Sequence, residues 1–202
     1  MKHKRLSIIG PEPVSLSEAR RQCFVTKDTE DENNHLNRLI RAARQFAEGE
    51  LWRAIVPANY ITFSDFWPAE IELPYPPMIE VDKIEYINPS GALVELDLSE
   101  VEIDHLSEPA RIKPVTSWPE IKKDVYNAIR ITYKAGYLKV VEGEGPNENN
   151  APEGIKSAIL MMVKHFHDNP EAVVVSGGGI SVNEVPMGVI DLLNQESQRV
   201  FV

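Results

Sequence analysis

The apolar residues change period once, and the place of that change limits the fold more than any other feature. Before Pro57 they recur at helical spacing, with Leu36, Leu39, Ile40, Ala43, Phe46, Ala47 and Leu51 forming a 3.6-residue stripe. Arg38, Arg41 and Arg44 lie off it. Pro57 stops the helix, because proline lacks the amide hydrogen and its ring clashes with the preceding turn. Beyond it the pattern alternates. Ile61 and Phe63 alternate with Tyr60, Thr62 and Ser64, and Ala92, Val94, Leu96 and Leu98 alternate with Glu95 and Asp97. Val101 and Ile103 alternate with Glu100, Glu102 and Asp104, and Ile129, Ile131 and Tyr133 with Arg130 and Thr132. A period of two marks half-buried strands.

Local signals refine this outline. Ser15-Leu16-Ser17-Glu18 fits a capping box, with Leu16, Ala19, Cys23 and Phe24 on one face of the helix it opens. Thr29 with Glu32 offers a second box for the longer helix. Asn88-Pro89-Ser90-Gly91 has turn chemistry. Between Ile79/Val81 and Ile84/Tyr86 the apolar parity slips by one, which predicts a bulge near Asp82 and Lys83. Five or six short strands at hairpin spacing imply an antiparallel sandwich or small barrel. The acidic VEGEGPNENN (Val141 to Asn150) reads as a mobile loop. A helix then opens at Pro152 and Glu153, carries Ile155, Ala158, Ile159, Met162, Val163 and Phe166 on one stripe, and stops at Asn169-Pro170. Leu160 and Met161 fall outside that stripe, so this helix needs a second partner, from the same chain or another subunit. The expected fold is α+β, a helical core of two N-terminal helices plus a C-terminal helix, with the antiparallel β-region inserted. Its expected parts are 14–56, the N-terminal helices; 57–138, the β-domain; 151–169, the C-terminal helix; and 176–202, a hinged C-terminal arm.

Several chemistries are excluded or disfavoured. With 21 Lys and Arg against 31 Asp and Glu, the net charge is −10, the wrong sign for gripping phosphates. No apolar run reaches the roughly 20 residues of a membrane helix, and Leu6 to Ile9 is too short an apolar core for a signal peptide. Cys23 is the only cysteine and lies on an apolar helical face, which suits a buried, inert thiol. His165 and His167, two apart on a helix, diverge around its axis and cannot chelate one ion, and His3, His35 and His105 have no partner at ligand spacing. No metal and no cofactor are expected. The carboxylates Glu70 and Glu72, Glu80 and Asp82, and Glu100, Glu102 and Asp104 could pair on a strand face, but each set alternates with apolar residues, as a solvated face does.

The glycine run Gly177, Gly178 and Gly179 raises the question of phosphate binding. It lacks the lysine and the following helix of a phosphate loop, and no βαβ unit surrounds it. It reads instead as a hinge leading to a small amphipathic element containing Met187, Val189, Ile190, Leu192 and Leu193, which has little to bury against unless it reaches another surface.

The order of segments resembles a known family. VSLSEARRQ (Val14 to Gln22) is followed by LIRAARQFAEGELWRAIVP (Leu39 to Pro57), IELPYPPMIEVDKIEYINPSG (Ile71 to Gly91) and PARIKP (Pro109 to Pro114). IRITYKAGY (Ile129 to Tyr137), APEGIKSAILMMVKHFHDN (Ala151 to Asn169) and VPMGVIDLL (Val185 to Leu193) complete the series. Together they resemble the head–tail connector proteins of tailed phages and prophages, the adaptor or head-completion type carrying a β-domain between its helices. The resemblance implies a non-enzymatic virion protein assembled in the cytoplasm of a bacterial host. It implies a homo-oligomeric ring, usually a dodecamer, docked beneath the portal protein, contacting a tail-side stopper or tail-completion protein, and letting double-stranded DNA pass without specific contacts. Portal binding in such proteins runs largely through the C-terminal helix and tail. That maps here onto the segment from Gly177, Gly178 and Gly179 through Met187, Val189, Ile190, Leu192 and Leu193, with Leu160 and Met161 as candidate subunit contacts.

Two other readings compete. A ligand- or carbohydrate-binding β-module with helical flanks would need aromatics clustered on an exposed sheet face, and Trp67, Tyr75, Tyr86 and Trp118 could supply them. An enzyme using paired carboxylates, such as a glycosidase, would need two acids converging in a cleft.

Overall fold

The computed structural model describes residues 1–140, 147–170, 173–176, 179–182 and 185–198. The chain divides into two compact units, one drawn from Met1–Gly10 and Trp52–Asn147, the other from Pro11–Leu51 and Glu148–Val202. The β-rich unit is thus inserted between helices of the other, an α+β arrangement.

In the helical unit, α1 (Leu16–Cys23) begins with the expected capping box. The Ser15 hydroxyl accepts from the Glu18 amide at 3.2 Å, and the Glu18 carboxylate accepts from the Ser15 amide at 2.7 Å. Ala19 and Cys23 are buried, but Phe24 is 80% exposed. The helix ends one residue earlier than its apolar pattern, because Phe24 adopts the left-handed conformation at φ 57° and swings off the helical face. In α2 (Glu30–Leu51) six of the seven stripe residues, Leu36, Leu39, Ile40, Ala43, Ala47 and Leu51, are buried, and Phe46 is half-buried. Arg44, read as lying off the stripe, is 1% exposed. Its guanidinium donates to Glu12 at 2.9 and 3.3 Å and to Glu48 at 2.7 Å, so the charge is buried with both partners in place. The last long helix, α3 (Glu153–Asp168), buries all six residues of its stripe.

The β-rich unit holds two antiparallel sheets. The first has the order β1 (Lys2–Ile8), β2 (Ala58–Ser64), β8 (Ile129–Ala135), β4 (Met78–Ile87), β5 (Leu93–Leu96). The second runs β3 (Ile71–Leu73), β7 (Ala110–Pro114), β6 (Val101–Asp104). Their inner faces share one cluster, including Ile84, Ile131 and Tyr133 from the first sheet and Ile71, Leu73, Val101 and Ile112 from the second. Each strand order ends in free edges, so the described residues form two sheets and no closed barrel. Eight strands are described here where five or six were expected. One addition is β1, whose residues are exposed on both faces apart from Arg5 and so carry no alternation to read.

The Asn88–Gly91 turn joins β4 to β5, with Gly91 at φ 90° donating to the Asn88 carbonyl at 2.8 Å. The register of β4 against β8 slips between Val81 and Lys83, at the bulge that the parity of the sequence marks. The face of β2 is the reverse of its hydrophobicity. Tyr60, Thr62 and Ser64 point into the core, and Ile61 and Phe63 are half-buried on the outer face. Tyr60 stacks between Tyr75 and Tyr133, at centroid distances of 5.3 and 5.6 Å, and the Tyr133 hydroxyl donates to the Pro74 carbonyl at 2.8 Å. An aromatic stack with its polar ends satisfied outweighs the aliphatic alternative on that face. Gly136, at φ 124°, closes β8 onto Val56 and Pro57, where an added Cβ would lie 2.6 Å from the Val56 carbonyl oxygen. Only glycine combines that conformation with that approach.

Candidate functional site

The outer face of the three-stranded sheet collects the acids that sequence reading singled out. Strand alternation puts Glu102 and Asp104 on one face of β6, and Arg111 and Lys113 on the facing residues of β7. With Glu70 they line a shallow groove of about 200 Å³. Lys113 binds Glu102 at 2.8 Å, and Arg111 binds Asp104 at 2.7 Å and Glu70 at 3.5 Å. The Ser107 hydroxyl, followed by Arg111, holds the Asp104 carboxyl well below the usual carboxylate range. Glu80 and Asp82 likewise meet one cation, Lys134. Each of these acids is tied to a lysine or arginine, not to a second acid. The groove is thus built of acid–base ion pairs across neighbouring strands, with no two of these carboxylates paired to each other.

The aromatics of the β-rich unit are turned on each other. Trp67 and Trp118 stack at 4.3 Å with planes 2° apart, and Tyr86 lies 6.2 Å from Trp67. Trp67 donates its indole N–H to the Pro119 carbonyl at 3.0 Å, and Trp118 donates to Pro68 at 2.7 Å. One face of each indole and both indole N–H groups are engaged within the unit, as is Tyr75 in its stack on Tyr60.

Among the described residues, no group of three or more His, Cys, Asp or Glu side chains is placed to hold a metal ion. The Cys23 thiol is buried, and burial pushes its pKa up. His3 donates to or accepts from the Thr62 hydroxyl at 3.1 Å, and burial pulls its pKa down. His35 on α2 and His167 on α3, unrelated in sequence, come within 6.2 Å by ring centroid. Only the packing of the two helices brings them together.

The C-terminal candidates separate into two groups. Gly177 and Gly178 lie outside the described residues, as do Val141–Pro146 of the acidic loop and 199–202. Gly179 begins β10 (Gly179–Val182), which pairs antiparallel with β9 (Val173–Ser176). The extended reading of Ile180-Ser181-Val182 agrees with this strand, while its partner β9 went unread. The tail forms a fourth helix, α4 (Met187–Gln198). The other surface that the tail needed in order to bury its apolar residues is α3, along which α4 lies. Gly188 meets Met161, a Cβ there standing 3.3 Å from the Met161 methyl carbon, and Gly154 near the start of α3 faces Glu196 near the end of α4. The two helices therefore run antiparallel, with glycines at the close approaches. Val189 and Leu193 are buried, Ile190 and Leu192 half-buried, and Met187 is 81% exposed. Leu160 and Met161 are half-buried, and α4 is the second partner that Met161 required.

Among the described residues, no helix is long and apolar enough to cross a membrane. No protein-family profile and no curated protein sequence matches the chain. Solved structures do share its fold. One is a chain from the neck of an empty gene transfer agent particle computed with C6 symmetry, with a TM-score of 0.70 at 17% identity over 96% of this chain and 94% of that one. Another, from the virion of a native gene transfer agent particle, has a TM-score of 0.69 at 17% identity with the same coverage. A third, from the native neck computed with C12 symmetry, has a TM-score of 0.66 at 16% identity, again over 96% and 94%. The shared fold spans both units of the chain.

Proposed function

We propose that this chain is a structural head–tail connector of a tailed phage, prophage or related particle. It acts as an adaptor, forming a homo-oligomeric ring below the portal that extends the DNA channel and joins head to tail. The observation that carries this reading is the fold, shared over nearly the whole chain with proteins of phage-like particle necks. The order of sequence segments points the same way independently of the fold. The acids paired with lysine or arginine and the mutually engaged aromatics also suit a structural part better than a catalyst or a glycan binder.

In this role the ring is a dodecamer, assembled in the host cytoplasm and retained in the virion. Twelve copies at −10 would carry roughly −120, a charge that favours passage of double-stranded DNA over retention. The portal-facing element is the segment through α4, on which Met187 is the apolar side chain most open to a partner. A stopper or tail-completion protein takes the opposite side.

The test is co-expression with the portal protein encoded in the same genome, followed by electron microscopy of the purified complex. A ring stacked coaxially on the portal is the expected result. A chain that stays monomeric alone and in the presence of portal overturns the proposal.

A further inference from the structure

The two edges of the five-stranded sheet carry opposite charge. β1 reads KHKRLSI, and β5 with the residues after it reads LVELDLSE. We infer that these edges pair head to tail between neighbouring copies of this chain, so that the sheet of one subunit continues into the next. The inference rests on the connector reading and specifies which surface closes the ring.

A single row of residues crosses the outer face of the sheet. Lys2 pairs with Phe63, Phe63 with Arg130, Arg130 with Glu85, and Glu85 with Glu95. The row therefore begins on a lysine and ends on a glutamate. Lys4 lies on the same face, opposite Ile61. Lys2, Lys4 and Glu95 are exposed, and none has an ion-pair partner among the described residues. Extending the row into a second copy sets Lys2 against the neighbour's Glu95. A slip of two residues sets Lys4 there instead.

Strand direction allows the same join. Every pairing in the sheet is antiparallel, and β1 and β5 are four strands apart, so they point the same way. A copy related by rotation about a ring axis keeps that direction, and β5 meets the neighbour's β1 as a short parallel ladder. Exposed edges invite such strand addition, and lysines on an edge discourage pairing with a like edge. Here they discourage β1 from meeting β1 while favouring the acidic edge, so one device supplies both attraction and exclusion. Leu93, 47% exposed beside Glu95, and Leu6, 49% exposed on β1, add apolar surface to the two edges.

Disulfide capture tests the inference. Cys23 is buried, so paired substitutions Lys2→Cys with Glu95→Cys, and Lys4→Cys with Glu95→Cys, introduce the only accessible thiols. On mild oxidation at high protein concentration, at least one pair is expected to give a ladder of covalent dimers, trimers and longer chains on a non-reducing gel. The single-cysteine variants are expected to give none. Dimers from Lys2→Cys or Glu95→Cys alone would mean like edges meet, and would overturn the inference.

A charge swap supplies the second arm. Lys2→Glu with Lys4→Glu, and separately Glu95→Lys, should each abolish rings, and mixing the two variants should restore them with the chains alternating. Wild-type rings in the absence of a ladder from either cysteine pair, or rings unaffected by these reversals, sink the edge pairing and leave the connector reading intact. A wild-type chain that is monomeric with and without portal, and gives no ladder, sinks both.

Discussion

Arg44 is the residue on which the helical unit depends most unevenly. Burial opposes its charge, but Glu48 and Glu12 outweigh that cost and raise the guanidinium pKa above its ordinary value. Arg44→Ala would remove the cation that Glu12 and Glu48 share and leave a cavity in its place. It is expected to lower stability by about 3–5 kcal/mol, read as a fall in the urea midpoint with little change in slope. Tyr133 is the equivalent residue in the β-rich unit. Burial pushes its hydroxyl pKa up, so the folded state holds that proton more tightly than the unfolded chain does. Its contribution is complete below about pH 10, where a free tyrosine begins to ionise, and is lost as pH rises through the folded value. Urea midpoints measured on either side of pH 10 should therefore drop on the alkaline side. In Tyr133→Phe that drop should shrink, at a cost of about 1 kcal/mol at neutral pH for the lost bond to Pro74.

At the scale of elements, α4 is the one whose attachment bears on function. It touches the rest of its unit through Val189 and Leu193, with Gly188 and Gly154 allowing the close approach to α3. Leu193→Ala removes one of the two buried anchors and is expected to cost about 2–5 kcal/mol of docking. Hydrogen exchange should show α4 losing protection first, with α2 and α3 keeping theirs. If α4 engages the portal, the same variant should also change portal binding, whereas an equally destabilising change within the β-rich unit should not. The strands divide differently. β8 buries every second residue between two neighbours, while β1 has a single neighbour and an open side. That open side is what makes β1 available for assembly.

Across the whole molecule, charge is the property that the proposed role uses. A net charge of −10 is the wrong sign for holding a polyanion. The chain is expected not to retard double-stranded DNA in a gel shift at about 150 mM salt. Retardation under those conditions would place DNA binding among its activities and undercut a passive channel. Rings held by Lys2 and Glu95 should also loosen as salt rises, because exposed pairs are screened within a Debye length of about 8 Å at physiological ionic strength. Mass measured across a salt series would show it.

The sequence by itself determined the elements whose signals are local. The stripes of α2 and α3 follow from their own 3.6-residue period, and α1 begins where Ser15 and Glu18 can reach each other's amides. The β4 bulge is visible as a slip in parity, and the turn before β5 as Asn-Pro-Ser-Gly. Together with the single change of period, these signals were enough to suggest an α+β fold with the β-region inserted between helices, as the structure has it. The acids of the candidate groove were also visible, but not the lysine and arginine that neutralise them from the next strand. Tertiary structure decided whatever depends on distant partners. Hydrophobicity favours Ile61 and Phe63 as the inner face of β2, yet Tyr75 and Tyr133 draw Tyr60 inward instead. Arg44 can be buried only because Glu12 arrives from another part of the chain. β1 shows no alternation because its strand is wet on both faces, and α4 found its partner only once α3 was in place. Period and capping are written into a few consecutive residues, whereas faces, edges and charge partners are set by the contacts of residues far apart in the chain.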